Sequence, residues 1–542
     1  MQWDARKSAV VALVAVAAAA IGYRAMSGSS TAAAVEVPIY DNLGSFHREV
    51  STDVAEAQRY FDQGLRLTYA FNHAEAIRAF EQATQLDADC AICFWGIAYA
   101  YGPNINAPMD SMSGVQAYNA IQRAQAVAGN ANEVERALID ALAQRYAAVP
   151  PADRAALDRA YATAMGDVRN RFPDDVDVLT LHAEAVMDLS PWDYWKADGT
   201  GRDGIPAAVS DLERVLATDP AHPGACHYYI HAVEASQPEK ALACAERLAS
   251  LMPGAGHLVH MPAHIYIRTG RWPDAIAANE HAVHTDETYI ADQSPTGVYP
   301  LAYYPHNYHF LSFAATMAGR TQQAIDAARG VSRNVSVDVA RQVPVLEPLI
   351  PYAHLTLVTF GRWDEVLSEA VPPSDLRVST ALTMYARGVA HAAKNETAQA
   401  NAALDTVRII AGGASDPLMK IVLDIAHHAL AGEIAFRGGD LNAAETHFRA
   451  AMQLEDGLLY MEPPHWYYPI RHSLGAVLLA KGQAAEAEQL YRQDLKRFPE
   501  NTWSLHGLQA ALRAQGRTQD ADALDARVAA LGGDVQLTSS RK

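Results

Sequence analysis

A pattern with a period of 34 residues constrains the fold more than any other feature of the sequence. Residues 468–501 and the segment that follows, TWSLHGLQAALRAQGRTQDADAL, share one register, marked by Leu474-Gly475, Ala487, Tyr491 and Pro499, then by Trp503, Gly516-Arg517 and Ala521. The register also fits the first part of the chain and less regular stretches between, at Gly64, Ala76, Phe80 and Ala83, at Gly432 to Ala451, at residues 380 to 405, and at Gly270 and Gly361. Such periodicity is typical of stacked helical units that bury a core only together.

These offsets resemble those of the tetratricopeptide repeat. The resemblance covers most of residues 55 to 530. It implies an all-α, right-handed superhelical solenoid of helix pairs with short insertions. It also implies that the first helix of each pair lines the concave groove with its second, fifth and ninth residues. The abundance of Ala, Leu, Glu, Gln and Arg between short Gly, Pro or Asp breaks independently favours helix.

The N-terminus predicts export. Arg6 and Lys7 precede an apolar run from Ala9 to about Tyr23, followed by a small polar stretch. This form is typical of a secretion signal, and an uncleaved anchor is the alternative. Either places the protein outside the cytoplasm, in the periplasm or anchored facing it, with no other contact with a membrane. The sequence further resembles exported bacterial tetratricopeptide proteins that carry an HMPAHIY-type stretch.

We predict four regions along the chain. They are a signal or anchor with a linker (1–40), N-terminal repeats (41–110), central repeats with insertions and a histidine-rich groove (111–345), and C-terminal repeats (346–542). Residues 103 to 170 and 286 to 304 fit the period poorly and are predicted to fold over one face as insertions.

Seven histidines lie in three short stretches, HYYIHAVEAS, HLVHMPAHIY and HNYHF. His227 and His260, like His231 and His264, are 33 residues apart, so one pair repeats the other. Spacings of three or four residues place imidazoles on one helix face, and adjacent helices pack about 8–10 Å apart. Counted in the repeat register, the seven fall on groove positions. We therefore predict a metal site with ligands His227, His231, His257, His260, His264, His306 and His309.

Within this set, His227, His231, His260 and His264 are the predicted primary ligands. The others complete or support the site, and Glu234 is predicted to orient a ligand or move a proton. Pro262 should bend the helix that carries the second stretch, or begin it near Met261 and leave His257 and His260 in a loop. Other histidines are assigned to the surface or to packing. A structural role without metal is the alternative for the whole cluster.

Imidazole ligands suit copper, iron and zinc, and we rank the metals in that order. The count fits two ions, or one ion with supporting histidines. Copper or iron predicts an oxidoreductase that performs redox or oxygen chemistry on a small organic molecule, walled by aromatics such as Trp192 and Tyr303. Zinc would predict hydrolysis with Glu234 as base. The other class of function is a scaffold that binds peptides or partner proteins in the groove without catalysis.

Charge and cysteines narrow the choice of partners. The net charge is −19 and no Lys/Arg-rich run occurs, so nucleic acid is not an expected partner. Four cysteines occur, Cys90, Cys93, Cys226 and Cys244, and disulfides are permitted in an exported chain. Cys90 and Cys93 form a C-x-x-C pair that is a redox dithiol, a metal-ligand pair or two buried small residues.

Overall fold

The computed structural model describes residues 37–196 and 198–534, and these contain helices but no β-strand. The predicted all-α, tetratricopeptide-like fold class is confirmed. The predicted signal or anchor lies outside the described residues. None of the helices within them is long and apolar enough to span a membrane.

The helices are numbered here in chain order. They are α1 (Ala55–Tyr69), α2 (His73–Leu86), α3 (Ala91–Ala100), α4 (Ser111–Val127), α5 (Glu133–Ala143), α6 (Ala155–Arg171), α7 (Val176–Met187), α8 (Ile205–Thr218), α9 (Pro223–Val233), α10 (Leu242–Leu251), α11 (Gly256–His260), α12 (Pro262–Arg268), α13 (Trp272–Gln293), α14 (Tyr304–Ala318), α15 (Thr321–Asn334), α16 (Val337–Gln342), α17 (Tyr352–Thr359), α18 (Trp363–Ser368), α19 (Arg377–Ala393), α20 (Thr397–Gly412), α21 (Pro417–Arg437), α22 (Leu441–Asp456), α23 (Ile470–Ala480), α24 (Ala484–Arg497), α25 (Thr502–Ala514), α26 (Thr518–Asp522) and α27 (Asp525–Ala530).

The described chain forms two compact units. The N-terminal unit comprises residues 37–265 and 281–304, and the C-terminal unit comprises residues 266–280 and 305–534. The boundaries predicted at residues 110 and 345 stay predictions.

One turn recurs between paired helices and fixes the repeat register. In it, a backbone N–H bonds the carbonyl five residues earlier, as from Gln483 to Leu478 and from Asn72 to Leu67. The residue before that N–H has a left-handed φ. Five residues after this left-handed residue, the chain has a fully buried alanine or, in one turn, a fully buried valine. The left-handed residues of these turns are Phe71, Gly270, Gly319, Gly361, Asn395, Gly439, Gly482 and Gly516. This is the Schellman motif, in which glycine is the usual residue at the left-handed position.

Glycine also allows the close packing between helices that the repeat predicts. Gly64 on α1 and Gly96 on α3 both face the ring of Phe80 on α2, and a Cβ at either position would overlap that ring. Gly475 and Gly507 face Tyr491 in the same way near the C-terminus. The neighbouring helices therefore approach closely around one large aromatic residue.

Both cysteine pairs are disulfides. Cys90 is bonded to Cys93 at the start of α3, and Cys226 on α9 is bonded to Cys244 on α10. The second bond ties together the two helices of one pair, and neither pair offers a free thiolate to a metal.

The C-terminal unit contains a buried carboxyl that should make its stability depend on pH. Glu455 at the end of α22 is 4 % exposed and accepts a hydrogen bond from the Ile470 N–H at 3.1 Å. Burial raises its pKa to about 7. An unfolded glutamate has a pKa of about 4.3, so the folded state holds the proton more tightly. This contribution to stability is complete below the unfolded pKa and is lost as the pH rises through about 7.

We predict that Glu455→Gln reduces the loss of stability between pH 5 and pH 8. The difference should be on the order of 2 kcal/mol, read from urea unfolding of the C-terminal unit at each pH. The matched control is Asp405→Asn, because Asp405 is an exposed carboxylate of the same unit. An equal pH dependence in wild type and Glu455→Gln would show that this carboxyl does not titrate in the range.

Candidate metal centre

The first two histidines of the site lie on α9. His222 caps this helix by accepting a hydrogen bond from the Ala225 N–H at 3.1 Å, and Pro223 occupies its first position. Both features are typical helix starts. His227 and His231 follow one turn apart on the same face and are 0 % and 2 % exposed.

The next three histidines lie on a helix that is interrupted at Met261. His257 and His260 belong to α11 and His264 to α12. Pro262 has no N–H, and the chain tightens there, with the His264 N–H bonded to the Met261 carbonyl at 3.1 Å. His257 and His260 are therefore helical and do not lie in a loop. All three side chains are buried.

The five imidazoles form a closed circle, called here the histidine ring. The centroids of neighbouring imidazoles are 5.0, 5.2, 4.8, 5.9 and 5.0 Å apart, in the order His227, His231, His264, His260, His257 and back to His227. The imidazoles of His227 and His231 on α9 thus converge with those on α11 and α12. His257, predicted to complete or support the site, is as central as the other four.

Two pairs of imidazoles within the ring meet through their Nε2 atoms. The His227 and His257 Nε2 atoms are 3.2 Å apart, and those of His260 and His264 are 2.9 Å apart. The Nδ1–H of His227 donates to the Tyr69 carbonyl at 2.7 Å. That carbonyl belongs to the last residue of α1, where the helix leaves carbonyls without an internal partner. Because a carbonyl only accepts, Nδ1 carries the proton and Nε2 of His227 presents its lone pair to the ring.

Glu234 joins the two histidine helices. Its Oε2 is 2.7 Å from His264 Nδ1 and its Oε1 is 3.4 Å from His231 Nδ1. Nε2 of His231 is buried and has no hydrogen-bond partner among the described residues. A carboxylate on Nδ1 fixes the tautomer of an imidazole and leaves Nε2 available as a ligand.

The electrostatics favour neutral imidazoles beside an anionic carboxylate. Burial lowers the pKa of His227 and His231 below the usual value, and neighbouring imidazoles lower it further. Burial alone would raise the pKa of Glu234, but His264 and His231 outweigh it and hold this pKa below its usual value. Neutral imidazole is the form that binds metal ions.

Aromatic side chains enclose the ring of histidines. The Phe71 ring lies 4.5 Å from that of His227, the Trp192 ring 5.2 Å from His231, and the Tyr303 ring 4.6 Å from His257. Trp192 Nε1–H donates to Asn106 Oδ1 at 3.2 Å. Asn106 and Tyr303 come from the two segments that fit the repeat poorly, and Trp192 comes from the connection between α7 and α8, so these segments cover the site.

Phe71 is the site residue that the sequence reasoning missed. It occupies the left-handed position of the repeated turn, with φ of 56°, where the other turns of this type have glycine or asparagine. A left-handed conformation costs a residue with a Cβ roughly 1–2 kcal/mol. Strain of this kind is typical of functional sites. Comparison of the repeats at this one position could have identified it.

The last two predicted ligands lie in the C-terminal unit. His306 and His309 are on the first turns of α14, with ring centroids 6.4 Å apart. His309 packs edge-on against Tyr352 at 4.5 Å, and burial together with His465 lowers its pKa to about 3. Their participation in the site stays a prediction.

Two further histidines have structural partners. His472 bonds Asp494 at 2.8 Å, and His182 bonds Asp211 at 2.8 Å. Both lie outside the ring.

Comparisons with known proteins give no family and only low structural similarity. No model of a protein family matches the chain, and no curated protein is similar in sequence. A solved structure of a human IFIT1 dimer with m7Gppp-AAAA has 11% sequence identity and a TM-score of 0.36, over 89% of this chain and 91% of that one. The APC/C hetero-tetramer Cut9-Hcn1 has 13% identity and a TM-score of 0.32, over 85% of this chain and 77% of that one. Similarity at this level says nothing about ligands.

We predict that the glycine variant is more stable than the alanine variant at Phe71 and less stable at Phe80. Phe71→Gly should be more stable than Phe71→Ala by about 1 kcal/mol, because only the alanine retains the left-handed strain. At Phe80, which is buried in the middle of α2, Phe80→Gly should be less stable than Phe80→Ala by about 1 kcal/mol. Urea midpoints measure both differences. The same sign at both positions would contradict a left-handed residue 71.

Proposed function

We propose that the protein binds a transition metal in the ring of histidines and uses it for redox or oxygen-dependent chemistry on a small organic molecule. The observation that carries the proposal is the convergence of five buried imidazoles and one buried carboxylate in the N-terminal unit. Ligand atoms of His227, His231 and His257 lie within 4.8 Å of one another, as do those of His231, Glu234 and His264.

The two Nε2 pairs have the separation of ligands that share an ion. With metal–nitrogen distances of about 2.0–2.1 Å, separations of 3.2 and 2.9 Å correspond to N–metal–N angles of about 100° and 90°. Both angles are ordinary for bound imidazoles. We assign one ion to His227, His231 and His257, and a second to His260 and His264.

The donor set favours copper, then iron, then zinc. All five donors are imidazole nitrogens, and the four cysteines are in disulfides and supply no thiolate. Glu234 bonds the outer nitrogens of two histidines, which suits a supporting carboxylate better than a ligand. A set of this composition is less typical of iron oxygenases, which use two histidines and a carboxylate ligand.

Copper would supply one-electron redox chemistry, and the chain would supply the surroundings of the site. Glu234 holds His231 and His264 in one tautomer and is a buried carboxylate in contact with both. Phe71, Trp192 and Tyr303 keep bulk water away, which favours neutral ligands and a defined coordination. The proposed redox activity requires copper or iron, because zinc has no redox chemistry. Bound zinc would instead support hydrolysis.

Metal analysis of protein purified from its native compartment tests the proposal. We expect one to two copper ions per chain, reduced to less than about 0.2 in the His231→Ala, His264→Ala double variant. His427→Gln serves as control, because His427 is a half-buried histidine of the C-terminal unit outside the ring. Copper-dependent oxygen consumption with phenolic compounds should be lost with the metal.

A wild-type content below about 0.2 metal per chain would contradict metal binding. So would an equal content in the double variant. A protein that binds no metal but binds peptides would support the alternative function, a scaffold without catalysis.

We predict that Glu234→Gln weakens metal binding by about 10- to 100-fold, as is typical when a carboxylate that supports a histidine ligand is lost. Competition between the protein and a chelator for Cu²⁺ or Co²⁺ measures this. Glu239→Gln is the matched control, because Glu239 is exposed and outside the ring. Equal affinity in Glu234→Gln and wild type would exclude the supporting role.

A further inference from the structure

A second group of buried polar side chains lies beside the histidine ring in the N-terminal unit. Its members are almost fully buried, yet each has a side-chain nitrogen or oxygen without a hydrogen-bond partner of normal geometry. These atoms are Trp95 Nε1, Tyr99 OH, Arg145 Nε and Nη1, Tyr161 OH, Glu184 Oε2, Asp188 Oδ1 and Tyr194 OH. Buried polar atoms in folded proteins are paired with protein, water or a ligand in the great majority of cases. Glu184 interacts more weakly with Asp188 and Tyr99, and Tyr194 with the backbone of Trp192. The atoms of Trp95, Arg145 and Tyr161 therefore need a partner that the chain does not supply, either water or a bound molecule.

The charges within this group are already balanced. Arg145 is 0 % exposed, forms an ion pair with Asp188, and lies over the Tyr161 ring at 4.7 Å. Asp158 is 3.5 Å from Arg145 Nε and also pairs with Arg154. Burial and the neighbouring Asp188 raise the pKa of Glu184 well above its usual value, so this carboxyl holds its proton. An additional ion would have no counter-charge here.

Hydrogen-bond donors are in excess. The indole N–H, the guanidinium N–H groups and the three tyrosine hydroxyls can all donate, and the strong acceptors are the carboxylates of Asp188 and Asp158, both already engaged with arginines. The rings of Trp95 and Tyr99 are stacked, with their centroids 5.1 Å apart. The matching molecule has oxygen acceptors, an apolar or aromatic body and no net charge.

The group is continuous with the histidine ring. Tyr228 follows His227 on α9, and their rings stack at 5.6 Å. The hydroxyl group of Tyr228 faces Tyr99 and Glu184. On the other side, Tyr194 is two residues from Trp192, which contacts His231. One molecule bound here would therefore lie close to the ring.

We propose that this second group is a binding site for an uncharged organic molecule with hydroxyl or carbonyl oxygens, of which phenol is the simplest example. Its role as the site for the substrate rests on the proposed function. Its ability to bind does not, because none of its members is in the histidine ring.

Phenol titrated into the metal-free full-length protein, followed by calorimetry, tests the site. We expect saturable binding of one phenol per chain, and at least tenfold weaker binding of benzoate, which brings an uncompensated charge. Tyr161→Phe should weaken phenol binding at least fivefold. Tyr229→Phe is the matched control and should leave it unchanged, because the Tyr229 hydroxyl bonds Glu213 at 2.9 Å outside the group.

Absence of saturable phenol binding would overturn the site, as would equal weakening by both variants. A crystal structure of metal-free protein soaked in phenol that shows only water at these atoms would overturn it too. If the protein binds phenol but no metal, the site stands and the proposed function is wrong. If it binds metal but no phenol, metal binding stands and the site is wrong.

Discussion

The burial of five imidazoles and one carboxylate is the constraint on which the N-terminal unit depends. Buried polar groups without partners destabilise a fold by several kcal/mol in total. The chain compensates with the Tyr69 carbonyl, with Glu234 between His231 and His264, and with contacts between the imidazoles themselves. These contacts still leave Nε2 of His231 without a protein partner. A bound metal ion would complete them, and this links the stability of the unit to its proposed ligand.

Regular repeats position the site, and departures from regularity shape it. The Schellman turn after α1 ends that helix, so that Tyr69 presents its carbonyl to His227. Phe71 in the same turn accepts a strained backbone and places its ring against the imidazoles. Pro262 interrupts the helix between His260 and His264, whose Nε2 atoms meet at 2.9 Å. Such local violations are expected where function competes with regular structure.

Much of this arrangement could be predicted from the sequence. The helical class and the repeat register follow from glycine and alanine offsets, because close helix packing tolerates few other residues there. The convergence of His227, His231, His260 and His264 follows from their 33-residue translation. The central place of His257 depends on the bend at Pro262, whose direction sequence does not specify. Phe71 stands out when the repeats are compared, but the roles of Tyr69 and Asn106 could not be predicted from spacing, since they arise from contacts between residues distant in sequence.

The second polar group could not be predicted from the sequence for the same reason, because its members are distant from one another along the chain. Glu184 lies on α7, whereas Arg145, Tyr161 and Trp95 come from other helices and loops. Only the assembled unit shows that their polar atoms face inward together. The N-terminal unit thus combines a regular scaffold with two neighbouring buried groups, one suited to a metal and one to an oxygen-bearing organic molecule.

The central claim is that the imidazoles meet at metal ions. Anomalous diffraction at the copper edge, from crystals of protein isolated with its native metal, tests this most directly. Two peaks are expected, one at the Nε2 atoms of His227, His231 and His257, and a second at those of His260 and His264. Crystals with no anomalous peak in the ring, in which the imidazoles hydrogen-bond only to one another, would contradict it.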